Sequence, residues 1–174
     1  VTFRNYFNSE QDVEDIFTTI LGCEKAVIAP TMMGFFDWSA LHCSNAGTFG
    51  EAYRKLEPAA IWDMDKRTSW NTHYKAIYLT NFLHENQFRF KNISQERIDF
   101  WLAQADFVKA LMYFRLAQDW GEAVVAPSTE DASQQAKSPI NTILTEAIQA
   151  AEAALILPTF DKLTNAQGNN INSR

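Results

Sequence analysis

The sequence predicts an all-α protein built from paired helices with long irregular loops. Three observations carry this. Glycine and proline are few, six and five in 174 residues, whereas a β-sandwich needs a turn signal every ~8–12 residues. Four stretches repeat apolar residues at three- and four-residue spacing. A shift of 34 residues sets Ala76 on Ala110, Ile77 on Leu111, Phe82 on Leu116 and Phe114 on Ile148, a period that belongs to arrays of helix pairs.

Each element has its own signals. Ser9 can cap the first helix, with Glu10 and Asp12 in the first turn, where the helix dipole favours negative charge. Val13, Ile16, Phe17, Ile20 and Leu21 then form one apolar face, and Pro30 stops the helix after Ala29. Residues 31–66 hold no sustained period and read as a long connection. The second helix spans Ser69 to Phe90, with Trp70, Tyr74, Ile77, Tyr78 and Asn81 or Phe82 on one side. Ser94 caps a third helix running to Trp120, apolar nearly all round and therefore packed on several sides. Gly121 suits its C-terminal turn. After a second loop, Ser138 reads as an N-cap with Pro139 in the first helical position. The fourth helix then runs to Leu157, rich in alanine, and Pro158 closes it.

Composition excludes several classes. With 47% hydrophobic, 13% aromatic and 21% charged residues, the chain is not disordered. Fifteen basic against 21 acidic residues give a net charge of −6 and no basic stripe, which argues against a nucleic-acid partner. No apolar run approaches the ~20 residues of a membrane span. Two cysteines are too few for a disulfide framework. Cys23 and Cys43 either pair, if the protein is exported, or stay small thiols in the interior. The chain starts at Val1 and ends in a polar run from Thr164 that completes no element, so it reads as a piece of a longer protein.

The sequence carries almost none of the recognised catalytic patterns. The chain lacks a glycine-rich phosphate loop, a GxSxG elbow, an HExxH motif and the Glu-x-x-His di-metal pattern. His42 and Cys43 with Cys23 lack zinc-ligand spacing, so no metal site is expected. His73 and His84 read as helix-surface residues. Asp63 and Asp65 read as a solvated helix start in preference to an acid–base pair.

The first loop holds the suggestive cluster. Trp38 follows Asp37, with Asn45, Tyr53, Arg54 and Trp62 nearby in sequence. Aromatic faces pack on the apolar faces of sugar rings, while Asp, Asn and Arg bind hydroxyl pairs. These six residues are the candidate ligand-binding set. The competing reading makes Trp38 and Trp62 core anchors beneath the loop.

The third helix carries a resemblance. FVKALMYFRLAQDWGEAVV, Phe107 to Val125, resembles the FLRALxYFxLvxxyGdvPl segment of SusD/RagB-like proteins, the surface glycan- and nutrient-binding lipoproteins of Bacteroidetes. Trp70, Tyr74, Ile77 and Asn81 match that family's W..xY.xI..aN helix. SEQDVEDIF, Ser9 to Phe17, is similar to the opening of its first helix, and Pro139 to Pro158 to its fourth segment. The likeness covers essentially the whole chain, as the N-terminal half of a family member. There are departures. The family's Glu and Arg stand here as Gln104 and Lys109, Val124 replaces its proline, and Gln149-Ala150 replaces its Asp-Leu. If the family's pair is a buried ion pair, its counterpart here is at best a Gln–Lys contact, weaker and not bidentate.

The resemblance implies tetratricopeptide-like helix pairs in a lipid-anchored protein on the outer membrane, facing outward. It implies a TonB-dependent, SusC-like transporter as partner and an oligosaccharide or other nutrient as ligand. No cofactor and no enzymatic activity are implied. The lipid anchor lies outside this chain. Trp70, Tyr74, Asn81, Phe107, Ala110, Tyr113 and Gly121 are then structural positions. The alternative is a tetratricopeptide-type scaffold that binds a protein or peptide.

Overall fold

The computed structural model describes Phe7 and residues 9–28, 65–130 and 135–158, with Ile28 and residues 65–69 as backbone alone. Four α-helices make up this part: α1 (Glu10–Ile28), α2 (Asp65–Asn86), α3 (Gln95–Trp120) and α4 (Ile140–Ala153). Short 3₁₀ turns follow α2 at Gln87–Arg89 and α4 at Ala154–Ile156. No strand occurs among the described residues. A single antiparallel bridge joins Ala123 to Ser138.

The helix starts follow local chemistry. At α1, the Ser9 backbone N–H donates to Asp12 Oδ2 at 2.9 Å and the Asp12 N–H to Ser9 Oγ at 3.4 Å. This is a reciprocal capping box. Ser94 caps α3, its hydroxyl accepting from the Arg97 N–H. Gly121 ends α3 at φ +76°, a conformation that costs an L side chain dearly.

Three expectations need correction. First, α2 begins at Asp65, four residues before Ser69, because no proline or glycine breaks the chain there; it also ends at Asn86, short of Phe90. Second, α4 begins at Ile140 and its cap position is Pro139, whose carbonyl accepts from the Thr142 and Ile143 N–H groups. Ser138 instead spends its backbone on the bridge to Ala123, at 2.7 and 3.3 Å. Third, His73 is not on a surface. It is fully buried, its ring edge-on to Trp120 with centroids 5.4 Å apart. The aromatic surroundings of a helix end won over its polar character. His84, by contrast, is half-exposed as expected.

Each helix packs mainly on its neighbour in sequence, α1 on α2, α2 on α3 and α3 on α4. α1 and α3 also touch, and they run parallel. Arg97 at the start of α3 reaches Glu10 and Glu14 at the start of α1, at 2.9 and 3.0 Å. The core lies in the seams: Val13, Ile16 and Ile20 of α1, Ala76, Ile77 and Leu83 of α2, and Val108, Met112, Tyr113 and Leu116 of α3. Small residues let α3 and α4 approach closely, with Ala103, Ala110, Ala147, Ala150 and Ala154 all buried. Cys23 is a buried free thiol, its ionisation pushed up by burial; Cys43 lies outside the described residues.

Candidate functional site

The six loop residues singled out by sequence, Asp37, Trp38, Asn45, Tyr53, Arg54 and Trp62, lie outside the described residues. So do His42, Cys43 and the side chains of Asp63 and Asp65. The stretch that holds them leaves from the C-terminal end of α1 and returns at the N-terminal end of α2. Because α1 and α2 run antiparallel, both junctions fall at the end of the bundle where α3 finishes. That end is aromatic. Trp70 of α2 lies 5.0 Å from Tyr74 and 5.3 Å, edge-on, from Trp120 of α3, with the Lys137 ammonium 5.8 Å above its ring.

The densest polar chemistry in the described residues lies between α2, α3 and the segment after Gly121. Four side chains hold that segment by its backbone. Tyr74 Oη donates to the Val124 carbonyl and accepts from the Val124 N–H, both at 2.8 Å. Tyr113 Oη does the same at Ala126, at 3.3 and 3.0 Å. Asn81 Nδ2 donates to the carbonyls of Ala126 and Ser128, at 2.8 and 3.1 Å. The Glu85 carboxylate accepts from the Thr129 N–H at 2.8 Å and from the Thr129 hydroxyl. An extended segment without a sheet partner leaves its backbone groups to be paired by other means, and these side chains pair them.

Electrostatics follow from burial. Tyr74 is pushed up to about 12 by desolvation, and Tyr113 is also raised, mainly by burial. Thr129 holds Glu85 below the usual carboxylate range. Lys109 donates to Asn81 Oδ1 at 2.7 Å. Its ammonium is pulled down mainly by desolvation, against the opposing charges of Asp106 and Glu146. Lys109 thus serves Asn81, while the buried Gln104 amide donates back one helical turn to the Phe100 carbonyl at 3.5 Å. Five positions apart on one helix, the two side chains diverge.

Beside these residues a cleft of about 320 Å³ opens between α2, α3 and α4, lined by His84, Asp106, Lys109, Glu146 and Gln149 among others. His84 Nε2 lies 2.8 Å from Asp106 Oδ1. Among the described residues no group of three or more His, Cys, Asp or Glu side chains is placed to hold a metal ion.

Sequence reading assigned Tyr74, Asn81 and Tyr113 to structure, and their bonds agree. It missed Glu85 and Lys109 as partners of this arrangement. A signal was present: Tyr74, Asn81 and Glu85 repeat at spacings of seven and four, a polar line along a helix whose neighbouring face is apolar.

The described helices include none long and apolar enough to cross a membrane. A SusD-like family model, described as starch-binding and associating with the outer membrane, matches residues 7–162. Among curated proteins no sequence match was found. Several solved structures share the fold. A laminarin-binding SusD-like protein superposes with a TM-score of 0.72 at 13% identity, over 95% of this chain and 37% of its own. A SusD-like carbohydrate-binding protein from Bacteroides fragilis gives 0.68 at 18% identity, over 97% of this chain and 35% of its own. A SusD superfamily protein from Bacteroides vulgatus gives 0.69 at 14% identity, over 97% and 38%. The chain thus spans little more than a third of the length of these structures.

Proposed function

This chain belongs to the SusD-like family, and on that premise we propose that it is part of a non-enzymatic, surface-exposed receptor for a glycan or related nutrient. The single observation that carries the reading is the family match across residues 7–162. The helix pairs form the frame, and the loop between α1 and α2 supplies ligand contacts. In that loop Trp38 and Trp62 act as platforms for sugar rings, with Tyr53 beside them. Asp37, Asn45 and Arg54 orient hydroxyl groups. The receptor is exported, anchored by lipid to the outer membrane, and hands its ligand to a TonB-dependent transporter of the SusC type. This chain is the N-terminal part of that receptor.

Two features support the frame role of the helices. The polar residues of α2 and α3 that look suited to ligands are engaged with the backbone of residues 124–129. Both junctions of the first loop also fall at one end of the bundle, beside Trp70 and Trp120.

Calorimetry on the intact protein tests the reading, starting with laminarin and starch and extending to a glycan array. Saccharide binding that weakens at least about tenfold in both Trp38→Ala and Trp62→Ala, equivalent to about 1.4 kcal/mol, is the expected result. Binding unchanged in both variants overturns the loop assignment. Binding to no saccharide, with a transporter still co-purifying, favours the scaffold alternative.

A further inference from the structure

The clamp on residues 124–129 uses Tyr74, Asn81, Glu85 and Tyr113 and leaves other polar side chains of the same region over. They line the cleft of about 320 Å³ between α2, α3 and α4. Asp106 is only 8% exposed, and His84 Nε2 meets its Oδ1 at 2.8 Å. Its second oxygen, Oδ2, has no hydrogen-bond partner among the described residues. Lys109 gives one N–H to Asn81 Oδ1 and has no ion-pair partner among the described residues. An ammonium carries three donors, so two remain. On the α4 side, the half-buried Glu146 carboxylate and the Gln149 amide have no hydrogen-bond partner among the described residues. Charges of both signs therefore line one cleft without pairing with each other. Asp106 and Glu146 act on the Lys109 ammonium from a distance, while burial strips it of water. A charge taken out of water is costly until it is paired.

We propose that this cleft binds a small zwitterion, a free α-amino acid. The ligand ammonium goes to Asp106 Oδ2 and the Glu146 carboxylate. The ligand carboxylate goes to the Lys109 ammonium and the Gln149 amide. His84 holds Asp106 through Oδ1 and leaves Oδ2 for the ligand. Charge selects this class first. A simple anion would meet two carboxylates that lack a cation, and a simple cation would meet Lys109. A ligand that carries both signs offers each group its complement. Size agrees, because about 320 Å³ lies at the lower end of small-molecule sites. The apolar lining agrees as well. Pro127 and Ala153 are small and leave room for a modest side chain, and the described lining residues include no aromatic ring. A sugar ring finds no platform there. The cleft thus differs in chemistry and in place from the loop between α1 and α2, and its occupant goes beyond the glycan reading.

Isothermal titration calorimetry of the intact protein against the common L-α-amino acids tests this. At least one is expected to bind. Its N-acetyl form lacks the ammonium and its amide lacks the carboxylate, and each should bind at least about tenfold more weakly. Glu146→Gln removes one charge from a side chain that holds nothing else among the described residues. It should weaken binding at least about tenfold with the parent's unfolding midpoint. Ala153→Leu fills the cleft from an exposed position without touching a charge, and it should also abolish binding. Trp38→Ala and Trp62→Ala should leave amino-acid binding unchanged, because they test the glycan reading elsewhere in the chain. Binding of no amino acid overturns the proposal. So does binding that Glu146→Gln and Ala153→Leu leave as it was, or that the N-acetyl form matches. Binding lost in the Trp variants and kept in Glu146→Gln assigns the amino acid to the loop and overturns the proposal too. Saccharide titrations of the same variants show separately whether the glycan reading fails.

Discussion

The α2–α3 seam and the outer face of α4 treat their surfaces in opposite ways. In the seam, polar side chains are turned inward and used. Tyr74 and Tyr113 each donate to and accept from the backbone of one residue, and Asn81 bridges two carbonyls while accepting from Lys109. On α4 the order is reversed: aliphatic side chains face outward, and more than half of the surface of Ile148 and Leu155 stays exposed. The difference teaches which residues to suspect of function. Tyr and Asn in a cluster suggest a ligand site, yet here they are consumed in holding the chain. Among the described α-helices, α4 carries the large apolar side chain left most exposed to solvent, Ile148.

The largest effect that could break this contrast is at Tyr113. Tyr113→Phe keeps the buried ring and removes only the hydroxyl. The Ala126 carbonyl would keep Asn81 Nδ2 as a donor, but the Ala126 N–H would lose its acceptor. An orphaned buried donor costs about 1–3 kcal/mol. Urea denaturation of the intact protein should show the unfolding free energy falling by that amount, seen as a lower midpoint with the slope unchanged. A midpoint equal to the parent's would mean that residues 124–129 are not held by these bonds, and the contrast between the two regions would lose its basis.

Much of this was legible in the sequence because strong local signals agreed with the packing. Ser9 with Asp12, and Ser94 with Gly121, mark helix ends by chemistry that needs no distant partner. Less legible were features set by tertiary neighbours. His73 looked like a surface residue because a lone histidine on a helix has no intrinsic side; Trp120, 47 positions away in sequence, decides it. Ser138 looked like a cap because Ser-Pro is a strong helix-start signal, but Ala123 claims its backbone. Lys109 looked like a weakened ion-pair member, and only the approach of α2 gives it Asn81. The loop candidates Asp37, Trp38, Asn45, Tyr53, Arg54 and Trp62 rest on residue chemistry and position alone, with no regular period to place them on a face.

A second way to sharpen the contrast is alkaline titration, with a smaller effect spread over a pH range. Tyr74 ionises near 10 when unfolded and at about 12 in the folded protein. Between those values the unfolded state gives up its proton while the folded state keeps it. Stability from this group is therefore full below about pH 10 and falls as pH rises towards 12. Tyr113 is shifted in the same direction. Lys109 acts oppositely: its folded value is lowered, so stability rises with pH from that value up to its unfolded one, about 10.4. Unfolding midpoints measured at pH 9, 10 and 11 should thus decline less steeply above pH 10 in Tyr74→Phe than in the parent. Identical slopes would mean that the hydroxyl at position 74 is not withdrawn from water.

The smallest effect separates buried polar chemistry from exposed polar chemistry. Arg97 looks impressive on paper: it reaches Glu10 and Glu14, and its guanidinium carbon lies 4.7 Å from the centroid of the Trp101 ring. Yet its side chain is 41% exposed and the two carboxylates are 52 and 38% exposed. Exposed ion pairs contribute about 0–1 kcal/mol, because water and salt screen them. Arg97→Ala should therefore cost about 1 kcal/mol or less. The portion due to Glu10 and Glu14 should shrink as salt is raised, and the portion due to stacking on Trp101 should persist. Tyr113→Phe, whose bonds are buried, should show almost no salt dependence. If Arg97→Ala instead matched it in size and insensitivity to salt, the link between the starts of α1 and α3 would have to be counted with the buried clamp around residues 124–129.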